Sequence, residues 1–201
     1  MLREFQRLGC HVLGVDPAEK IANAARESGV PTICDFFTPE LAEQILAMST
    51  ARPKLVVANN VFAHADDLEG IVRGVKTLLP DGGAFVFEVQ YVVDMVQRGL
   101  FDMCYHEHLS YHSVGPLQKF FRRLGMTLVS VEQVDTHGGS IRCTVLNAEG
   151  PPTASVRAMI ELERAALTAQ AWAAMAIRVE RAGIQLRRHV ARIKHPLRRR
   201  R

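Results

Sequence analysis

Runs of apolar, strand-like residues alternate with amphipathic helical runs from the N-terminus to Tyr91, at a spacing of about twenty-five residues, and this alternation constrains the fold more than any single motif. LREFQRL reads as the end of a helix closed by Gly9, and HVLGVDP as a short buried strand, Val12 to Val15, ending on Asp16-Pro17. AEKIANAARESG follows as a helix with apolar positions at Ile21, Ala24 and Ala25 and a stop at Gly29. PTICDFF supplies a brief strand near Thr32 to Cys34, and PELAEQILAM a helix with proline in its first turn. KLVVANNVFAH contributes a strand through Val57, DLEGIVRGVKTLL a helix ended at Pro80-Asp81-Gly82-Gly83, and AFVFEVQY another apolar strand. Such alternation is the pattern of βαβ units, a parallel sheet covered by helices on both faces.

After Tyr91 the pattern changes. VVDMVQRG is helical and leads into the string YHEHLSYH; VGPLQKFFRRLG is a helix; MTLVSVEQVD and SIRCTVLN are two β-rich runs that predict an antiparallel hairpin at the sheet edge around His137-Gly138-Gly139. Thr153 to Ala191 is Ala- and Arg-rich and helical. The expected organisation is an α/β domain over residues 1–150 and a helical extension with a basic tail over residues 151–201.

Charge excludes one broad class. Of the 25 Lys and Arg, nine fall in residues 181–201, which carry no Asp or Glu, so the rest of the chain sets 16 basic against 21 acidic residues. The body therefore offers no basic face for nucleic acid, and the tail reads as a solvated, partly helical end. No apolar run is long enough to span a membrane, and the N-terminus lacks the order of a signal peptide, so no membrane partner is expected and the chain reads as soluble and cytoplasmic. Cys10, Cys34, Cys104 and Cys143 show no C-x-x-C spacing, and reduced thiols are the expectation.

In a parallel α/β sheet ligands lie at the carboxyl ends of the strands. Asp16, Asp35 and Asn59-Asn60 end three successive strands, an arrangement that suits a nucleotide-like ligand, although Asp16 also stands where a helix-capping carboxylate would. His64 follows the third of these strands, in a place where packing or capping would also employ a histidine. In YHEHLSYH the glutamate lies between histidines, so the H-E-x-x-H zinc spacing is missing; His108 and His112 are four apart with no third ligand, and no metal is expected. Acid–base chemistry fits better: imidazole titrates near neutrality, Glu107 can orient it, and the Tyr105 hydroxyl can donate to a developing oxyanion.

NVFAHADDL, FVFEVQYVVDMV, FDMCYHEHLSYHS and THGGSIRCTV, in this order, resemble the S-adenosylmethionine-dependent sugar C-methyltransferases of deoxysugar biosynthesis, over roughly residues 2–150. The resemblance implies a class I methyltransferase, Rossmann-like sheet, S-adenosylmethionine as cofactor, and methylation of the carbon next to the keto group of a nucleotide-linked 4-keto-deoxysugar. It implies His108 as general base, with Tyr105, Glu107 and His64 around the sugar. Asp16 would hold the cofactor ribose, Asp35 and Phe36 would flank its adenine, and Asn59 would join that set. Tyr111, His137 and Arg142 would face the sugar nucleotide, though the His137-Gly138-Gly139-Ser140 turn would equally serve to shape a bulged hairpin. The oligomeric state is left open.

The same resemblance implies departures. The first strand of the methyltransferase sheet, its glycine-rich loop and a cysteine-rich zinc module would precede residue 1, and a further α/β region would follow, so the chain is expected to be a fragment or truncated product. Two competing readings follow: a catalytically inactive remnant serving as a binding module, and a nicotinamide-dependent enzyme that would also use Asp16 but would leave YHEHLSYH unexplained.

Overall fold

The structure is a computed structural model that describes residues 1–197. Its chain divides into two compact units: residues 1–56 with 67–83, and residues 57–66 with everything from Ala84 onward.

In the first unit α1 (Leu2–Arg7) precedes β1 (Gly14–Val15), which pairs in parallel with β2 (Thr32–Ile33) across α2 (Glu19–Glu27). Pro39 opens α3 (Pro39–Met48), and Thr38 caps it, accepting from the Leu41 amide at 3.2 Å. Asp67 caps α4 (Leu68–Leu78) in the same way, through the Gly70 amide at 2.8 Å. Leu41, Ala42, Ile45 and Leu78 form the core here, with Val15, Ile33, Phe37, Leu46 and Val56 packed around it.

Two expectations are corrected in this unit. The strand predicted over Val12–Val15 is only Gly14–Val15, and it is half-buried, with Leu13 exposed. On α2, Ala22 is buried while Ile21 and Ala24 are exposed. Periodicity identified an apolar face but not its extent of cover: Ala22 is fully buried, while Ile21 is exposed and lines the cavity beside β1.

β3 (Leu55–Asn59) carries the chain into the second unit, whose sheet has the order β3, β4 (Ala84–Gln90), β6 (Ser140–Leu146), β5 (Thr127–Val134). The predicted hairpin is present, antiparallel, with β6 inserted against β4 and β5 at the edge; its register irregularity falls between Leu128 and Ser130, away from the turn. Alternate residues of β4, Phe85, Phe87 and Val89, are buried, and the Phe85 and Phe87 rings meet Phe62 and, from α6 (Val114–Arg123), Phe121. Each of these rings supplies about 1.5–3 kcal/mol by leaving water.

The helical C-terminal part is tied into this unit. Glu163 of α7 (Ala154–Ala166) is buried, and its carboxylate accepts from the Val114 and Gly115 amides at the N-terminus of α6, where the helix dipole favours an anion. Burial, reinforced by Glu163, holds the Tyr91 hydroxyl protonated far above its usual range. Met175 of α8 (Ala169–Leu197) packs on Met95 and Val96 of α5 (Val92–Arg98), and Arg178 donates to the Val96 carbonyl. Residues 198–201 of the predicted basic tail lie outside the described residues. Among the described residues no helix is long and apolar enough to cross a membrane.

Candidate active site

The first unit holds a cavity of about 270 Å³ beside β1, lined by Leu2, Val15, Asp16, Ile21, Val30 and Thr32 among others. Asp16 follows β1 directly, half-buried; its Oδ1 accepts from the Ala18 amide at 2.8 Å, which orients the carboxylate across the start of α2. The helix-cap alternative is corrected: α2 has Ala18 as its N-cap and no side-chain cap bond, so Asp16 makes only a local backbone bond and lines the cavity. Asp35 follows β2 and accepts from the Phe36 amide at 2.8 Å; Asp35 and Phe36 are both exposed, with the Phe36 ring 71% in solvent.

In the second unit three segments converge at the carboxyl ends of β3 and β4. Asn60 follows β3 in a left-handed conformation, and a 3₁₀ turn over Phe62–His64 then presents His64. Phe62 anchors that turn in the aromatic core, fully buried. The loop between α5 and α6 is laced to the turn by the Leu109 and Ser110 amides, which donate to the Ala63 carbonyl at 3.0 and 3.3 Å. From the hairpin comes His137. Asn60, His64, Gln90, Tyr105, His108 and His137 line a small cavity of about 60 Å³, with Ala63 and Val89 as its apolar floor.

The histidines of YHEHLSYH separate sharply. The His106 side chain is almost wholly in solvent, 3.8 Å from an exposed Glu107. His112 is buried, stacks on Phe62 and hydrogen-bonds Ser110 Oγ through Nε2 at 3.0 Å; burial pushes it down to about 4, so it stays neutral in the core. His108 alone faces the cavity. Its Nδ1 lies 2.8 Å from the Met103 carbonyl, an acceptor only, so Nδ1 carries the proton and donates. Nε2 lies 3.0 Å from the Tyr105 hydroxyl, and whenever the ring is neutral it carries the lone pair and accepts from that hydroxyl. The His64 ring stands edge-on to His108, centroids 4.9 Å apart. The arrangement is an imidazole held at Nδ1 by a backbone carbonyl, with Nε2 beside a phenol and a second imidazole.

The structure thus brings together His64, Tyr105, His108 and His137, and leaves Glu107 outside their cavity. Tyr111 is not among the lining residues; its ring centroid lies 6.4 Å from that of His108, and its hydroxyl is held above the usual range first by burial and then by Cys104. The Arg142 guanidinium is engaged with the buried carboxylate of Glu88 at 3.0 Å, so its charge is already answered within the protein. Asn59 ends β3, one residue before the cavity-lining Asn60. Gln90 was missed, although it ends β4 by the same rule that singled out Asp16. Glu88 was missed too; its signal was a lone charge within an otherwise apolar strand. Among the described residues no three His, Cys, Asp or Glu side chains are grouped to hold a metal ion.

With this geometry in place, comparison with known proteins defines the class. The magnesium protoporphyrin IX methyltransferase of Synechocystis, solved with SAH bound, matches at TM-score 0.52 and 12% identity, over 71% of this chain and 66% of that one, and the shared fold is the Rossmann-like α/β fold of class I methyltransferases. A methyltransferase domain family model matches residues 1–131, and the chain belongs to that family. It is 41% identical over 140 residues to the C-methyltransferase NovU of Streptomyces niveus, covering 70% of this chain and 33% of NovU. Against a ubiquinone biosynthesis O-methyltransferase of Methylobacterium it is 31% identical over 115 residues, 48% of this chain and 45% of that protein. The chain spans about a third of the length of NovU and under half that of the second relative.

Proposed function

We propose that the second unit performs the proton chemistry of a C-methylation, with His108 removing a proton from the carbon next to the keto group of a nucleotide-linked 4-keto-deoxysugar. The observation that carries this reading is the anchoring of the His108 ring: Nδ1–H is spent on the Met103 carbonyl, which leaves Nε2 for the chemistry of the cavity. The C–H proton passes to Nε2, and the electron pair left behind becomes an enolate. The Tyr105 hydroxyl, displaced from Nε2 by the substrate, turns to the new oxyanion, and His64 is the second donor within reach. NovU is named a C-methyltransferase, which supports a carbon nucleophile over the oxygen nucleophile of the second relative.

S-adenosylmethionine is the cofactor in this reading, supplying when bound a methyl group electrophilic enough for the enolate carbon to take. Asp16 is suited to its ribose, with Oδ1 already committed to Ala18 and Oδ2 open to a diol, and the exposed Phe36 ring offers a face to adenine. A second reading, a binding module without turnover, is favoured by β1 itself. In its parallel pairing the Gly14 and Asp16 amides donate to the Pro31 and Ile33 carbonyls, which turns the Val15 N–H and C=O to the other side, where no described strand receives them.

The two readings separate by isotope exchange. In D₂O with a nucleotide-linked 4-keto-6-deoxysugar and no cofactor, the protein should place deuterium at the α carbon, and His108→Ala should stop it by at least about a hundredfold, the usual worth of a positioned base. Exchange undiminished in that variant would remove His108 from the role; calorimetry with S-adenosylmethionine then asks whether methyl transfer can follow.

A further inference from the structure

Among the described residues, Asn60 and His137 are the non-glycine residues with positive φ, at 53° and 52°. Both line the same cavity, from different loops. A left-handed backbone is uphill for a residue with a Cβ, less so for Asn than for His, and it persists only where neighbours hold it. Glu88 is connected to both. Its backbone carbonyl accepts the Asn60 amide at 3.0 Å. Its side chain is 4% exposed, with Oε1 accepting from Thr136 Oγ1 at 2.6 Å and Oε2 from Arg142 at 3.0 Å. Thr136 immediately precedes His137, and its carbonyl accepts from Ser140 Oγ at 3.0 Å, which closes the turn from the other side.

A cross-strand ion pair that merely stabilises the sheet is the plain alternative, since Glu88 and Arg142 are register partners. That account explains one of the two carboxylate oxygens. The Thr136 bond leaves the sheet and ends on the turn, beside the Arg98 and Tyr91 bonds to the Gly138 and Gly139 carbonyls, so it adds nothing to the ladder and acts on the backbone that carries His137.

We propose that the Glu88 side chain is a positioning group of this cavity, setting the His137 wall through the Thr136 hydroxyl before substrate enters, while its backbone carbonyl meets Asn60 as any residue at this place in the strand would. The kinetic consequence rests on the function proposed above; the structural one does not. The test uses the full chain labelled at histidine and compares Glu88→Gln with Thr136→Val, the milder change, which decides the matter should the first fail to fold. In both variants the His137 ring and amide resonances should shift and broaden while those of buried His112 stay in place, and KM for α-proton exchange should rise about tenfold, the worth of one charge-assisted hydrogen bond, with kcat changed less. Unmoved His137 resonances, or His112 moving as far as His137, would overturn the proposal. If the unaltered chain exchanges no proton, the proposed function fails, and the histidine spectra still decide for or against Glu88.

Discussion

Each unit holds one of the two cavities, and they are built on opposite terms. The cavity beside Asp16 is wide, about 270 Å³, largely apolar, and rests on a ladder of two residue pairs. The one around His108 is about 60 Å³, lined by groups that titrate or hydrogen-bond, and stands on a four-stranded sheet with an aromatic core beneath. Polar side chains are held in one arrangement only where the backbone under them is over-determined. In the second unit Phe62, the Ala63 carbonyl, Met103 and Glu88 supply that determination; in the first, the Asp16 carboxylate has one local bond, to the Ala18 amide, and its backbone one bond to Ile33.

The sharpest way to break this contrast is Phe62→Ala. The ring is wholly buried among Phe85, Phe87, Phe121 and His112, and its loss should cost about 3–5 kcal/mol in denaturant unfolding. A loss below about 1 kcal/mol would mean that the aromatic core does not support the cavity.

Acid gives the next effect. His112 is pushed down to about 4 in the folded protein from an ordinary 6.5, so the unfolded chain takes up its proton first as pH falls. The stability that neutral His112 contributes is whole above about pH 6.5 and is lost as pH drops toward 4, about 3 kcal/mol in total. Melting temperatures followed across that window should fall, and His112→Asn should flatten this limb. The smallest effect belongs to the first unit: Thr38→Ala removes the cap of α3 and should cost about 1 kcal/mol, read as a local rise in amide exchange over α3.

The alternation of strands and helices, the late hairpin and the helical C-terminal stretch were legible because each depends on local periodicity and turn chemistry. The fate of Ile21 was not, since a helix reports its apolar face but not how much of it will be covered. His108 was reached through the whole YHEHLSY string; its distinction from His106 and His112 depends on loop backbone, where Leu109 turns onto Ala63 and His112 onto Phe62. Glu88 and Gln90 lay unread for a related reason. Pairing across β4 and β6 decides that the first meets Arg142 and that the second ends at the cavity, and such pairing is non-local.

The distribution of thiols has a practical use. Cys10, Cys34 and Cys104 are exposed, whereas Cys143 sits fully buried in β6, its thiol pushed up by burial and by Glu163. An alkylating reagent therefore meets three ready targets and one that waits for the central strands to part. Counting adducts by mass over time makes the fourth a clock on the opening of the sheet beneath His108, written into the native chain with no substitution at all.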